Sequence, residues 1–363
     1  MRNRNTLVPG LEHLAVLTDG TGVIQHATES VPNRATGYCT DDVARAFMVV
    51  LARLQSAPRD ELAERLASTY LSFLDSAQLE DGRFHNFMSY GRTWLDEVGT
   101  QDSCGRAMWA LGYGMRYAPL QPWRRLCTTL FERGLAAIDA YDYLHPRAYT
   151  LIGLSHALAV RNEPHYAAAA RHLAGALVQS YENERRDDWT WFAPVMTYDN
   201  ARFPEAMIRA GMALSDAHFG DLGLETLNFY EGVTLDSGIF VPIGNEGWYP
   251  RGGTRAVYAQ QPLEATALVD AELAALDATG DLTRLANAEL GLAWFYGKNS
   301  RAETMAHGGG CYDGLEEKDV NRNMGAESTL ALLAAAYAVG ALRTRSAPNT
   351  RLAPLRSISL RSG

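Results

Sequence analysis

The chain of 363 residues contains only four cysteines, and their spacing forms no metal or disulfide pattern. Cys39, Cys104, Cys127 and Cys311 lie far apart and lack the close pairing of a zinc motif. Free thiols are typical of a reducing compartment, so the sequence predicts a cytoplasmic protein. It predicts no metal ion and no other cofactor, because a single acid in a glycine-rich turn, Asp313, does not make a calcium site.

Positive charge and long apolar runs are also scarce. The net charge of -9 argues against nucleic acid as a partner, because nucleic acid requires a basic face. No run approaches the roughly 20 apolar residues of a membrane span, and residues 1–10 lack the apolar stretch of a signal peptide. Residues 344–363 hold arginines but no acid, which predicts a flexible basic tail behind a single domain over residues 1–343. The oligomeric state stays open.

The most informative pattern is a polar, aromatic-rich loop that leads into a very apolar helix, repeated six times about 45 to 65 residues apart. The six helix starts lie at residues 39–42, 101–103, 145–147, 198–200, 260–264 and 324–327. Six less apolar helices with a polar stripe alternate with them. Helices that are apolar on every face are buried, so the pattern predicts an inner and an outer layer.

Twelve helices follow from this alternation. The predicted ranges are 41–55, 59–79, 102–117, 121–141, 147–161, 164–181, 201–216, 220–235, 262–279, 281–299 and 326–343, with a twelfth around 11–17. The uneven repeat length favours a closed ring over an open solenoid, whose repeats are near-constant at about 33 to 47 residues. The fold class is therefore all-α, an (α/α)6 toroid, in which short strands could occur in loops, for example at residues 238–242.

Carboxylates at the helix starts are the candidate catalytic groups. Asp41 and Asp42 are adjacent, so one of them could hold a raised pKa and act as an acid, although acids also favour the first turn of any helix. Asp102 occupies the same position on the next inner helix. Glu264 and Glu327 follow small or apolar residues, and a glutamate in such surroundings is either paired with an arginine or functional.

Aromatic and polar residues in the long loops are candidate substrate contacts. Aromatic faces stack on sugar rings, while amides, carboxylates and guanidinium groups bind hydroxyls. The predicted substrate-binding residues are Arg34, Tyr38, Trp94, His145, Trp191, Asp199, Glu246, Trp248, Arg251 and Gln261. Each of these, taken alone, could instead be an ordinary packing residue.

Three segments add a resemblance to a known group of proteins. Residues 38–42, 100–106 and 325–330 resemble bacterial helical domains that are associated with glycosyltransferases, within the wider class of (α/α)6-toroid carbohydrate-active proteins. The Asp41-Asp42 pair is also similar to the paired aspartates of some toroid mannanases. The resemblance implies a sugar or oligosaccharide ligand. The chain has no nucleotide-sugar-binding half, so it does not imply a transferase.

The leading functional hypothesis is a glycoside hydrolase that cleaves a small oligosaccharide with a carboxyl acid and a carboxylate base. Asp42 and Asp102 are the first candidates for these roles, followed by Glu264, Glu327 and Asp41. A sugar epimerase or isomerase is the alternative, with His145, His85 or His307 moving protons and Arg34 or Arg147 binding the substrate. A non-catalytic glycan-binding accessory of a glycosyltransferase is a third hypothesis.

Overall fold

The computed structural model describes residues 8–346, with side chains up to residue 343. Of the predicted tail, residues 344–346 belong to the last helix, whereas 347–363 lie outside the described residues. Within residues 8–346, no helix is both long and apolar enough to cross a bilayer.

Twelve α-helices account for most of the described chain. They are α1 Glu12–Leu17, α2 Thr40–Ser56, α3 Glu61–Ala77, α4 Gln101–Tyr117, α5 Gln121–Gly134, α6 Leu144–Leu158, α7 Pro164–Glu184, α8 Arg202–Leu214, α9 Ala217–Thr234, α10 Pro262–Thr279, α11 Thr283–Trp294 and α12 Ala326–Ser346. The even-numbered helices form the inner layer. Each packs on its even-numbered neighbours, and α12 packs on α2, which closes the ring.

The odd-numbered helices form the outer layer. α3, α5, α7, α9 and α11 each pack against the inner helix that precedes them, and the short α1 packs against α12. The N-terminal segment therefore completes the sixth hairpin, as the sequence predicted. The all-α toroid is confirmed, and its core lies between the two layers.

Local sequence explains where most helices begin. The side chains of Asp60 and Thr100 accept hydrogen bonds from the third residue after them and so cap α3 and α4. Pro164 and Pro262 stand at the first positions of α7 and α10, where the missing N–H costs nothing. At the start of α2, Cys39 is the capping position and Thr40 is the first helical residue.

Two helices end earlier than the sequence predicted. α5 ends at Gly134, and a 3-10 turn continues over Leu135–Ala140. α11 ends at Trp294 rather than near residue 299, and Gly297 adopts a φ of 90°, a left-handed conformation that no α-helix can contain.

Short antiparallel ribbons tie the long loops together at one end of the ring. Those of the described residues are β1 Ala27–Thr28 with β2 Val31–Pro32, β3 Tyr38–Cys39 with β4 Phe87–Met88, β5 Val195–Met196 with β8 Tyr249–Pro250, β6 Leu235–Asp236 with β7 Ile239–Phe240, β9 Ala306–His307 with β10 Gly310–Cys311, and β11 Gly314–Leu315 with β12 Val320–Asn321. The β3–β4 ribbon joins the loops before α2 and α4, and β5–β8 joins those before α8 and α10. The starts of neighbouring inner helices are thereby held around one opening.

Candidate active site

A pocket of about 370 Å³ lies at this opening of the ring. The first two turns of α2 and α4 and the first turn of α12 supply most of its charged groups, and the loops supply Asp313, amides and aromatic rings. Its lining consists of Gln25, His26, Cys39, Asp41, Asp42, Arg45, Asn86, Phe87, Thr100, Asp102, Arg106, Tyr198, Asn245, Trp248, Gln261, Leu263, Asp313 and Glu327. Five carboxyl groups therefore face one small cavity.

Arg45 organises three of these carboxyl groups. Its Nη2 donates to Asp41 at 2.6 Å and to Asp42 at 2.9 Å, and its Nη1 donates to Glu327 at 2.8 Å. Asp41 and Asp42 lie four and three residues before Arg45 on α2, which is the spacing that places side chains on one helix face. Glu327 reaches the same guanidinium from the first turn of α12.

Arg106 forms the second cationic group of the pocket. Its Nε lies 2.7 Å from Asp41, its Nη2 donates to Asp199 at 2.8 Å, and the guanidinium stacks over the ring of Tyr149. Asp41 thus lies between two guanidinium groups. Asp41 therefore has an ion-pair partner on each of two inner helices, α2 and α4.

Asp42 is the pocket carboxyl that burial affects most clearly. Its side chain is only 3% exposed. Burial raises the pKa of Asp42 to about 7, the Asp41 and Glu327 carboxylates add to the effect, and Arg45 opposes it. Asp42 consequently carries its proton up to near-neutral pH and can serve as a general acid.

Asp102 is positioned by an aromatic neighbour. The hydroxyl of Tyr198 donates to Asp102 at 2.5 Å. The Tyr198 ring stacks on His145 with centroids 4.2 Å apart, and Nε2 of His145 lies 2.7 Å from the Tyr198 carbonyl. Burial and the nearby Asp102 charge raise the pKa of Tyr198, so the phenol keeps its proton and remains a donor.

Within residues 8–343, this cluster holds three carboxylates that lie close enough together to bind a cation. Oxygen atoms of Asp41, Asp42 and Glu327 lie within 4.8 Å of one another. Arg45, however, already donates to all three, so its guanidinium supplies the positive charge that this set of oxygens needs. These residues are therefore accounted for by an ion-pair network.

Six of the predicted site residues line the pocket. They are Asp41, Asp42, Asp102, Glu327, Trp248 and Gln261. Trp248 is 37% exposed and lies in the glycine-rich loop before α10. These residues come from four separate stretches of the chain, and the ring brings them together.

Glu264 lies outside the pocket lining, although it is close to the site. It is 1% exposed and accepts hydrogen bonds from the backbone N–H of Asp199, the Asn200 amide and the Tyr230 hydroxyl. Burial, with the Asp199 charge, raises the pKa of Glu264 to about 8. Its contacts are with the loop before α8 and with α9, so its geometry is that of a support for the pocket wall.

Asp199 is likewise buried outside the pocket lining. Arg106, Arg202 and the Tyr149 hydroxyl all bind its carboxylate. Although burial acts to raise the pKa of Asp199, Arg106 and Arg202 outweigh it and hold the pKa below its usual value.

The other predicted substrate contacts also lie outside the pocket lining. Tyr38 is buried and donates to Asp19, Trp94 stacks on His85, and Trp191 is fully buried among core aromatic rings. Arg251 binds Glu184, and Arg34 and Glu246 are exposed on their loops. A single loop aromatic in a sequence cannot be assigned to packing or to binding, because the chain around it looks the same in both cases.

The residues of the epimerase hypothesis have structural partners too. His85 lies 2.8 Å from the carbonyl of Asp96, and His307 lies 2.8 Å from that of Thr304. Arg147 donates to the Tyr141 carbonyl, and His145 supports Tyr198 beneath the pocket. The histidine on the pocket surface is His26, which is exposed.

Sequence reasoning missed Arg45, Arg106 and Tyr198 as site residues. Helical spacing could have found the first two, since Arg45 follows the aspartate pair by one turn and Arg106 follows Asp102 by four residues. Asn86 and Asn245 carried no such signal, because they reach the pocket from loops that only the fold brings close.

Comparison with known proteins agrees with the fold. No family model and no curated protein sequence match the chain. Similar solved structures include cellobiose 2-epimerase from Bacillus thermoamylovorans, with a TM-score of 0.70 and 11% identity over 93% of this chain and 96% of that one.

Two further structures are similar over almost their whole length. A D-mannose isomerase has a TM-score of 0.68 at 12% identity, covering 92% of this chain and 96% of that one. A family 76 α-mannanase from Bacteroides thetaiotaomicron has a TM-score of 0.65 at 11% identity, covering 92% and 95%. The chain thus has the (α/α)6-toroid fold of carbohydrate-active enzymes that act by different reactions.

Proposed function

We propose that this protein is a glycoside hydrolase that cleaves a small oligosaccharide in the pocket at the loop end of the ring. The observation that carries the proposal is Asp42, a pocket carboxyl whose pKa is raised to about 7. Asp102, Asp313 and Glu327 share the same cavity, so a second carboxyl is available. A protonated acid beside a carboxylate is the pairing that glycosidic cleavage uses.

In this mechanism Asp42 protonates the oxygen of the scissile bond as it leaves. Asp102, oriented by Tyr198, activates the water molecule that attacks the anomeric carbon. Arg45 keeps Asp41, Asp42 and Glu327 in place, while Trp248 and the amides of Gln25, Asn86, Asn245 and Gln261 provide contacts for sugar rings and hydroxyls. Arg45 also retains Asp41 and Glu327 as partners when Asp42 is neutral.

Release of reducing sugar from a panel of gluco- and manno-oligosaccharides tests the proposal. We expect turnover by the wild type and a loss of about 10²- to 10⁴-fold in Asp42→Asn and in Asp102→Asn. Arg251→Lys, which alters a loop arginine outside the pocket lining, is the control and retains activity. Undiminished hydrolysis in both aspartate variants contradicts the assignment.

A sugar epimerase or isomerase is the second candidate. The observation in its favour is again Asp42, because a group with a pKa near 7 can take and return a proton at neutral pH. Incubation of mono- and disaccharides in deuterated water separates the two functions. Deuterium incorporation at a ring carbon without bond cleavage supports the epimerase, and cleavage without incorporation supports the hydrolase.

A further inference from the structure

A second and larger cavity occupies the axis of the ring. It measures about 570 Å³ and is lined by residues of all six inner helices. Along α12 its wall runs from Leu330 to Leu342, about 18 Å at the rise of an α-helix. Gln55, Ser56, Asp277 and Ala341 are exposed at the end away from the loops, so the cavity opens to solvent there.

Small side chains on the inner helices create this space. Ala331, Ala334, Ala338 and Ala341 recur on one face of α12, and Ala52 on α2 lies in the same wall. Met48, Val49, Leu330 and Leu342 complete an aliphatic surface over these two neighbouring helices. Such a surface suits an aliphatic chain, because burying each methylene group is favourable.

The charged groups on the other side of the cavity are satisfied by one another. Arg202 binds Asp199, Glu205 and Asp270, and Arg209 binds Glu205. Because these charged side chains already have partners, the favourable contact left for a ligand is burial of the aliphatic side of the cavity.

A single layer of side chains separates this axial cavity from the loop-end pocket. Arg45, Arg106, Leu263 and Glu327 line both spaces. Glu327 is the least restrained of the charged members, since its side chain is 34% exposed and its ion pair is with Arg45 alone. If Glu327 turns aside, Arg45 keeps its contacts with Asp41 and Asp42, so movement of this one side chain can open a route between the two cavities.

We infer that the substrate is an amphiphilic glycoside, with its sugar in the loop-end pocket and an aliphatic aglycone in the axial cavity. This inference rests on the proposed function, because it assigns the substrate class of the same site. The polar pocket and the aliphatic wall of the axial cavity lie in series along one axis, which matches the two halves of such a molecule. A purely hydrophilic oligosaccharide would leave the aliphatic surface of α2 and α12 unused.

Calorimetric binding of methyl, butyl and octyl glycosides of glucose and mannose, below their micelle concentrations, tests the inference. Each buried methylene group should tighten binding by up to about three- to fourfold, so we expect octyl glycosides to bind at least about 30-fold more tightly than methyl glycosides. Ala334→Phe fills the cavity beside α12 and should abolish this dependence on chain length, whereas the size-matched Ala334→Ser should preserve it. Ala338→Phe provides a second filling variant, and thermal unfolding checks that each variant is folded.

Equal affinity of the wild type for methyl and octyl glycosides overturns the inference, as does a chain-length dependence that survives both filling variants. Failure of the proposed function is recognised separately. Binding that depends on chain length but is not followed by hydrolysis supports an amphiphilic ligand and contradicts the proposed hydrolase. Hydrolysis of oligosaccharides without any chain-length effect supports the hydrolase and contradicts the amphiphilic substrate.

Discussion

At the scale of single residues, Arg45 and Arg106 determine which pocket carboxyls are held in ion pairs. Asp41 is held between Arg45 and Arg106, whereas Glu327 pairs with Arg45 alone and has the more exposed side chain. Asp42 also contacts Arg45, but it is buried so deeply that its pKa lies near 7. Asp102 has a tyrosine hydroxyl as its partner instead of a guanidinium. These contacts are the reason that Asp42 and Asp102 carry the two roles in the mechanism we propose.

In the mechanism we propose, Asp42 sets the dependence of hydrolysis on pH. As a general acid it must be protonated, and its pKa of about 7 means that the protonated fraction falls as pH rises through that value. We therefore expect kcat/KM to decline tenfold per pH unit above about 7. Glycosides with good leaving groups, which need little protonation, serve as the control and should show a weaker decline. A rate that increases through this range contradicts the role of Asp42 as the acid.

Glu264 should influence stability through its own ionisation. The folded-state pKa of about 8 lies above the ordinary value of 4.5, so the protonated form stabilises the fold and the benefit is lost as pH rises between these values. The free energy of unfolding of the wild type should fall as the pH rises from about 5 to about 8.5. In Glu264→Gln we expect this fall to be smaller by on the order of 3 kcal/mol. Urea unfolding at both pH values measures it, and an unchanged pH dependence contradicts this account of Glu264.

At the scale of elements, the close contact between α4 and α6 brings the second and third inner helices together. Gly112 on α4 faces Gly153 on α6, and a Cβ atom on Gly112 would overlap the carbonyl oxygen of Gly153. Gly105 similarly faces Pro146 near the loop end of the same two helices. Since α4 also carries Asp102 and Arg106, this packing fixes two pocket residues relative to the third hairpin.

Substitution of Gly112 tests the importance of this contact. We expect Gly112→Ala to lower the free energy of unfolding by about 1–3 kcal/mol, because the added methyl group must push two helix backbones apart. Gly175→Ala is the matched control, since a Cβ atom at Gly175 on α7 would meet no neighbour within 4 Å. That change should stabilise the protein by about 0.5–1 kcal/mol. Chemical denaturation of both variants measures the difference, and equal stabilisation by both contradicts the close packing.

Helix positions were predicted well because their signals are local. α10 occupies the predicted range 262–279, which begins with a proline and ends at Gly280. The predicted end of α5 at residue 141 was wrong, because residues 135–140 have the composition of an α-helix but form a 3-10 turn. The site was predicted only in part, because the contact of Arg45 with Glu327 joins residues 282 positions apart and depends on ring closure.

At the scale of the whole molecule, the ring separates two kinds of surface along its axis. Loops and helix starts make a polar, carboxyl-rich opening, and the inner faces of α2 and α12 make an aliphatic wall of the cavity below it. The similar structures show that this fold hosts an epimerase, an isomerase and a mannanase by name. The fold therefore does not identify a reaction, and our proposal for this chain rests on its pocket residues.

The most direct test of the central claim is a crystal structure of the Asp42→Asn variant with an oligosaccharide that the wild type cleaves. We expect a sugar in the loop-end pocket, with the glycosidic oxygen about 2.6–3.2 Å from the side chain at position 42. The Asp102 carboxylate should face the adjacent anomeric carbon. A sugar bound outside the pocket, or one whose glycosidic bonds lie beyond the reach of both position 42 and Asp102, contradicts the account.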